Sequence, residues 1–192
     1  MACASHVMIF LVFSNLAIAM ATLPPPLYDP NLGKCKNSCE EELNLSLYLH
    51  QVVTGPAHNQ EVILSPGFPN MFGMIAVVDW TIYAVPDSTS SIIARAKGMT
   101  IQATQSEVNG VAWFLPFSMV FQDSRFGGST LQVMGAITGA VDGEWAIVGG
   151  TGKLSTARGT IKFIAVQAQS TPTFEVYRRI DIHAFYTPAP AV

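Results

Sequence analysis

From Leu43 onward, apolar and polar side chains alternate with a period of two, the spacing of half-buried β-strands. Leu43, Leu45, Leu47 and Leu49 fall on one face of the first such segment, and Asn44, Ser46, Tyr48 and His50 on the other. Gly55-Pro56 closes it, and a loop containing Pro66, Gly67 and Pro69 leads to a second strand over Phe72–Thr81. A third strand, Ser91–Thr104, sets Arg95 and Lys97 against a face of Ala94, Ala96, Gly98, Thr100, Gln102 and Thr104. The pattern is strongest over Val111–Phe121, where Val111, Trp113, Leu115, Phe117, Met119 and Phe121 share a face. Further strands are expected over Ser129–Ala136, Trp145–Gly149, Thr156–Val166 and Thr173–Phe185, each bounded by Gly or Pro clusters. No amphipathic helix of useful length interrupts them. Short strands at near-regular spacing imply an all-β sandwich or an up-and-down barrel, and the spacing leaves both open.

Ahead of this region the character changes. Val7 to Met20 carries no charge and ends in the small-residue patterns Ala17-Ile18-Ala19 and Ala19-Met20-Ala21. A bilayer span needs roughly 20 apolar residues, so residues 1–21 read as a cleaved signal peptide, with export to the extracellular space and no membrane anchor afterwards. Residues 22–42, with Pro24-Pro25-Pro26, read as a flexible lead-in, residues 43–186 as one β-domain, and 187–192 as a tail. Export changes the reading of the cysteines. Cys3 leaves with the leader, and Cys35 and Cys39 remain as a candidate disulfide in an oxidising compartment. Asn44-Leu45-Ser46 is an N-glycosylation sequon.

The 192-residue chain is 49% hydrophobic and 12% charged, which supplies a sizeable core and excludes a disordered chain. Its net charge of −3 and its scattered basic pairs, Lys34/Lys36, Arg95/Lys97 and Arg178/Arg179, give no concentrated surface for nucleic acid. Each pair reads as a solvated strand edge. The histidines are far apart and no zinc-ligand spacing occurs, so neither a metal nor another cofactor is expected.

In order, Leu47-Tyr48-Leu49-His50-Gln51, Phe72-Gly73, Val77-Val78-Asp79, Arg95-Ala96-Lys97-Gly98, Gly128-Ser129-Thr130-Leu131, Gly149-Gly150-Thr151-Gly152-Lys153 and Ala157-Arg158-Gly159 resemble the dirigent family of plants, from about Leu43 to Phe185. The resemblance implies an eight-stranded antiparallel barrel, a homo-oligomer (dimer or trimer), and secretion to the apoplast. It also implies a role: holding phenoxy radicals made by a separate oxidase, a laccase or peroxidase, so that two coniferyl alcohol units join with one handedness into a lignan.

Two radicals couple almost without a barrier, so such a site must supply orientation, through an apolar cavity with a few fixed polar groups. Ring closure of the resulting quinone methide benefits from a positioned acid. The resemblance assigns Asp79 and Arg158 as the retained polar anchors. It replaces one family aspartate by Gln51 and another by Lys153, and the pocket tyrosines by Thr100 and Gln102. Leu49, Gln51, Thr100, Gln102 and Phe117 are the expected ligand contacts, and His50, on the opposite face, a structural or subunit-contact residue. With the acids replaced, a second reading is a secreted barrel of plant defence that binds an apolar or phenolic ligand without catalysis.

Overall fold

A computed structural model describes residues 40–68, 70–105, 112–138, 141–166 and 175–188. The leader, most of the lead-in, Cys35, Cys39 and the last four residues of the tail lie outside the described residues. The strands are β1 (Glu41–Val52), β2 (Gln60–Leu64), β3 (Ile75–Tyr83), β4 (Ile92–Gln102), β5 (Trp113–Phe121), β6 (Thr130–Ile137), β7 (Asp142–Thr151), β8 (Arg158–Ala165) and β9 (Glu175–Tyr186). One 3₁₀ turn, Gly152–Leu154, follows β7.

Hydrogen bonding runs in the order β1-β9-β8-β7-β6-β5-β4-β3-β2, antiparallel throughout, and a further pairing of β1 with β3 closes the sheet. The result is a closed eight-stranded antiparallel barrel formed by β1 and β3–β9. Closure removes the sheet edges that β1 and β3 would otherwise present. The odd positions of β1 and β5 and the even positions of β3, β4 and β9 point inward, and their apolar side chains form one core that includes Leu43, Leu49, Trp80, Leu115, Phe121 and Ile180.

Size matching across β4 and β5 fills this interior. Ala94 faces Phe121, Ala96 faces Met119, and Gly98 faces Phe117. A Cβ at Gly98 would lie 2.6 Å from the Phe117 Cα, so the missing side chain lets the two strands meet. Phe117 then crosses the barrel between Trp80 and Trp145, edge-on to both, with ring centroids 6.3 and 5.5 Å away. Above Gly98–Phe117 the ladder skips to Ile101–Phe114. Pro116 stands in that gap and has no N–H to donate.

The seam between β1 and β3 is short: Tyr48, Leu49 and His50 pair with Tyr83, Ile82 and Thr81. Beyond it, β2 takes over the edge of β3, pairing Gln60 with Val78 and Leu64 with Ile75. Asn59 joins the two arrangements. Its side chain accepts from Val52 N at 2.8 Å and donates to His50 O at 3.0 Å. Its backbone donates to Val52 O and accepts from Asp79 N.

β2 corrects the sequence expectation, which ran a loop through this segment. Val62, Ile63 and Leu64 are all largely exposed, so the strand buries no single face and shows no period-two signal. Backbone pairing to β3 defines it instead. The start of the second expected strand also moves, because Phe72 and Gly73 form a turn and pairing begins at Ile75.

Candidate functional site

At the barrel end where β1 finishes and β9 begins, the inward side chains leave a cavity of about 470 Å3. Its walls are mostly apolar, with Trp80, Trp113, Leu115, Ile137, Val53 and Val176 among the lining residues. Four polar side chains, Gln51, Gln60, Thr100 and Arg178, also line it. The parity of the strands delivers them. Gln51 continues the inward set Leu43–Leu49 on β1, Thr100 continues Ala94–Gly98 on β4, and Arg178 precedes Ile180, Ile182 and Ala184 on β9. Below them the Trp80–Phe117–Trp145 contacts form a packed floor.

The polar groups differ in how they are satisfied. Gln60 Oε1 accepts from the Trp80 indole N–H at 2.9 Å, which ties β2 to the cavity wall. Arg178 differs: its Nε and Nη1 are buried with no hydrogen-bond partner among the described residues. Burial pushes its guanidinium down to about 10. No carboxylate lines the cavity among the described residues. The set can therefore grip an oxygen through N–H and O–H donors and hold an aromatic ring against Trp80 and Trp113, but its lining offers no carboxylic acid for proton donation.

Gln51 and Thr100, expected as ligand contacts, do line this cavity. Gln102 takes another role. It is fully buried, donating from Nε2 to Asn70 O at 2.9 Å and accepting from Thr104 N at 2.9 Å, which fixes the end of β4. Leu49 and Phe117 are core residues beneath the cavity.

Asp79 and Arg158 are not brought together, and neither faces the cavity. Both stand at outward positions. Asp79 accepts from Arg95 Nε at 2.7 Å and lies 3.9 Å from Lys97. Arg158, at the start of β8, pairs with Glu40 in solvent, and its cation sits 5.6 Å from the Phe185 ring centre. Each has found the nearest opposite charge on its own face, which leaves neither free to serve the interior. Lys153 is exposed and donates to Arg125 O at 2.7 Å. Asn44 is exposed on β1, its amide donating to Glu42.

Arg178 was missed because Arg178-Arg179 reads as one charged pair. Strand alternation separates them: Arg179 points out and binds Asp181 at 3.0 Å, whereas Arg178 points in. The readable signal was the parity of Ile180, Ile182 and Ala184. A second cavity, an outer groove of about 600 Å3, runs along the β1–β3 seam. His50 is buried there, stacked on Tyr177 at 4.0 Å and bonded to Glu175 at 2.5 Å, and the Asp79–Arg95 pair lies alongside.

A family model described as dirigent-like protein matches residues 42–185, the whole barrel apart from the last residue of β9 and the first of β1. The chain belongs to the dirigent-like family. Among its relatives, Pterocarpan synthase 1 of Glycyrrhiza echinata is 30% identical over 155 residues, covering 77% of this chain and 79% of the relative. Dirigent protein 21 of Arabidopsis thaliana is 29% identical over 145 residues, covering 70% and 75%. A solved structure of a pterocarpan synthase dirigent protein superposes with a TM-score of 0.71 at 27% identity, over 80% of this chain and 89% of the other. For this dirigent-like chain, the family barrel is thus matched both along the sequence and in three dimensions.

Proposed function

We propose that this dirigent-like barrel binds a phenol-derived reactive intermediate in its mouth cavity and gives one handedness to the bond it forms. The observation that carries this reading is the cavity itself: two tryptophans and several aliphatic walls around a small set of hydrogen-bond donors, Gln51, Thr100 and Arg178. An aromatic ring is held by the walls, its oxygen is fixed by the donors, and one face of the reacting carbon is left open. The first reaction assigned is coupling of two coniferyl alcohol radicals, which a separate one-electron oxidase supplies. Gln51 orients by hydrogen bonding where an acid would protonate.

A second reading is closure of a quinone methide within one molecule. It is supported by the pterocarpan synthases among the relatives and by a cavity with one cation. The uncharged run Val7–Met20 supports export, which would put the protein in the apoplast beside such oxidases.

The test is oxidation of coniferyl alcohol by a one-electron oxidant with and without purified protein, followed by chiral chromatography. An enantiomeric excess that depends on protein concentration is expected. Racemic products, with an isoflavanol also closing without stereoselectivity, would refute guidance of both reactions and leave ligand binding without catalysis.

A further inference from the structure

Among the inward positions of β9, Ile180, Ile182, Ala184 and Tyr186 are buried, and Arg178 alone carries a charge. A buried cation is normally held by a carboxylate, and even the more open Arg95 and Arg179 on the outer face are paired, with Asp79 and Asp181. Among the described residues, Arg178 has neither a carboxylate beside it in the cavity nor a hydrogen-bond partner for its buried Nε and Nη1. The surrounding polar groups do not replace one. Gln51, Gln60 and Thr100 carry no charge, and none of them is hydrogen-bonded to the buried Nε or Nη1. A cation drawn out of water without a counter-charge destabilises the fold, and no described residue supplies that charge at this cavity, which leaves the place open to an anionic ligand.

We infer that the cavity is specific for aromatic ligands carrying an anionic oxygen group, a carboxylate or a phenolate, and that Arg178 is its counter-ion. This rests on the proposed function only in taking the mouth cavity as the ligand site. The aromatic part lies against Trp80 and Trp113, and the anionic oxygens meet Arg178 with Gln51 and Thr100 as further donors. The depressed pKa of Arg178 has the same origin, since burial without a counter-charge disfavours the guanidinium and a bound anion would restore it.

Calorimetric titration of the purified full chain with two matched pairs tests this. One pair is 4-methoxycinnamate and its methyl ester, which isolates the carboxylate. The other is 4-nitrophenolate and 4-nitroanisole, which isolates the phenolate. At least one anion is expected to bind about tenfold or more tightly than its neutral partner, the scale of a charge-assisted hydrogen bond in a dry site. The pair showing the difference identifies the anion. In Arg178→Gln, checked for its β-sheet circular dichroism, the anion-to-neutral affinity ratio falls to near one.

Equal affinities within both pairs for the wild-type chain overturn the inference without any variant, and leave the cavity as a neutral ligand site. A preference that survives in folded Arg178→Gln overturns it as well. Failure of all four compounds to bind overturns the inference together with the assignment of the cavity as the ligand site.

Discussion

Asn59 closes the barrel where β1 and β3 stop pairing, so its removal tests how the seam is held. Asn59→Ala deletes two part-buried hydrogen bonds, at 2.8 Å from Val52 N and 3.0 Å to His50 O, and leaves both backbone groups without their partner. Each orphaned group costs about 1–3 kcal/mol. Both sites are partly open to water, so the lower part of that range applies, and the sum is about 2–3 kcal/mol. For a domain of this size, about 1 kcal/mol moves Tm by roughly 2–4 °C, which gives a fall of about 5–10 °C. Thermal unfolding by circular dichroism reads it, and amide exchange at Val52 should speed up while the β4–β5 core stays protected. Asn59→Asp keeps the acceptor for Val52 N but loses the donor to His50 O, and is expected to lose at least half as much. An Ala variant within about 1 °C of wild type would show that backbone pairing alone holds the seam, and the reasoning would fail.

Other expectations follow the same geometry. Gly98→Ala places a methyl 2.6 Å from the Phe117 Cα and should destabilise by about 1–3 kcal/mol in urea unfolding. Adding Phe117→Leu should not rescue it, because the clash is with the backbone. Arg178→Met removes a buried charge that has no partner among the described residues and should raise stability without ligand by about 1 kcal/mol or more, read as a higher Tm, while weakening anionic ligands. Arg158→Ala should leave ligand binding unchanged, since its partner is Glu40 on the outside; a loss of affinity in calorimetry would contradict that placement. The hydrogen bond from Arg158 holds Glu40 below its ordinary 4.5, and hydrogen bonds from Asn44 and then His183 do the same for Glu42. Because these folded-state values are depressed, their stabilisation is complete above 4.5 and is lost as pH falls through the folded values. Unfolding midpoints should therefore drop in acid, and less steeply in Arg158→Gln.

Where one face of a strand is buried, the sequence carried the structure legibly. Alternation on β1, β4 and β5 identified the inward set, and the same parity brought Gln51 and Thr100 to the cavity. β2 was illegible because Val62, Ile63 and Leu64 are exposed together, so no periodic burial constrains them. Gln102 faces inward as expected, yet its amide is consumed by Asn70 O and Thr104 N, pairings set by a turn that period-two reading does not describe. Asp79 and Arg158 came from family resemblance rather than parity, and parity already set both on the outside beside Thr81 and Thr160. Arg178 and Arg179 are adjacent like residues in opposite environments, because a strand assigns neighbours to opposite faces.

The splice at Asn59 separates two properties that most barrels couple. In a plain barrel, widening the opening means adding a strand or changing the shear, and either alters every pairing around the ring. Here the last strand boundary is made by a side chain, with residues 53–58 looping out between Val52 and Asn59 and β2 supplying part of the rim. Insertions in that loop can reshape the entrance while the remaining ladders keep their register. Ligand range can thus diversify under natural or laboratory selection without the scaffold being re-evolved each time.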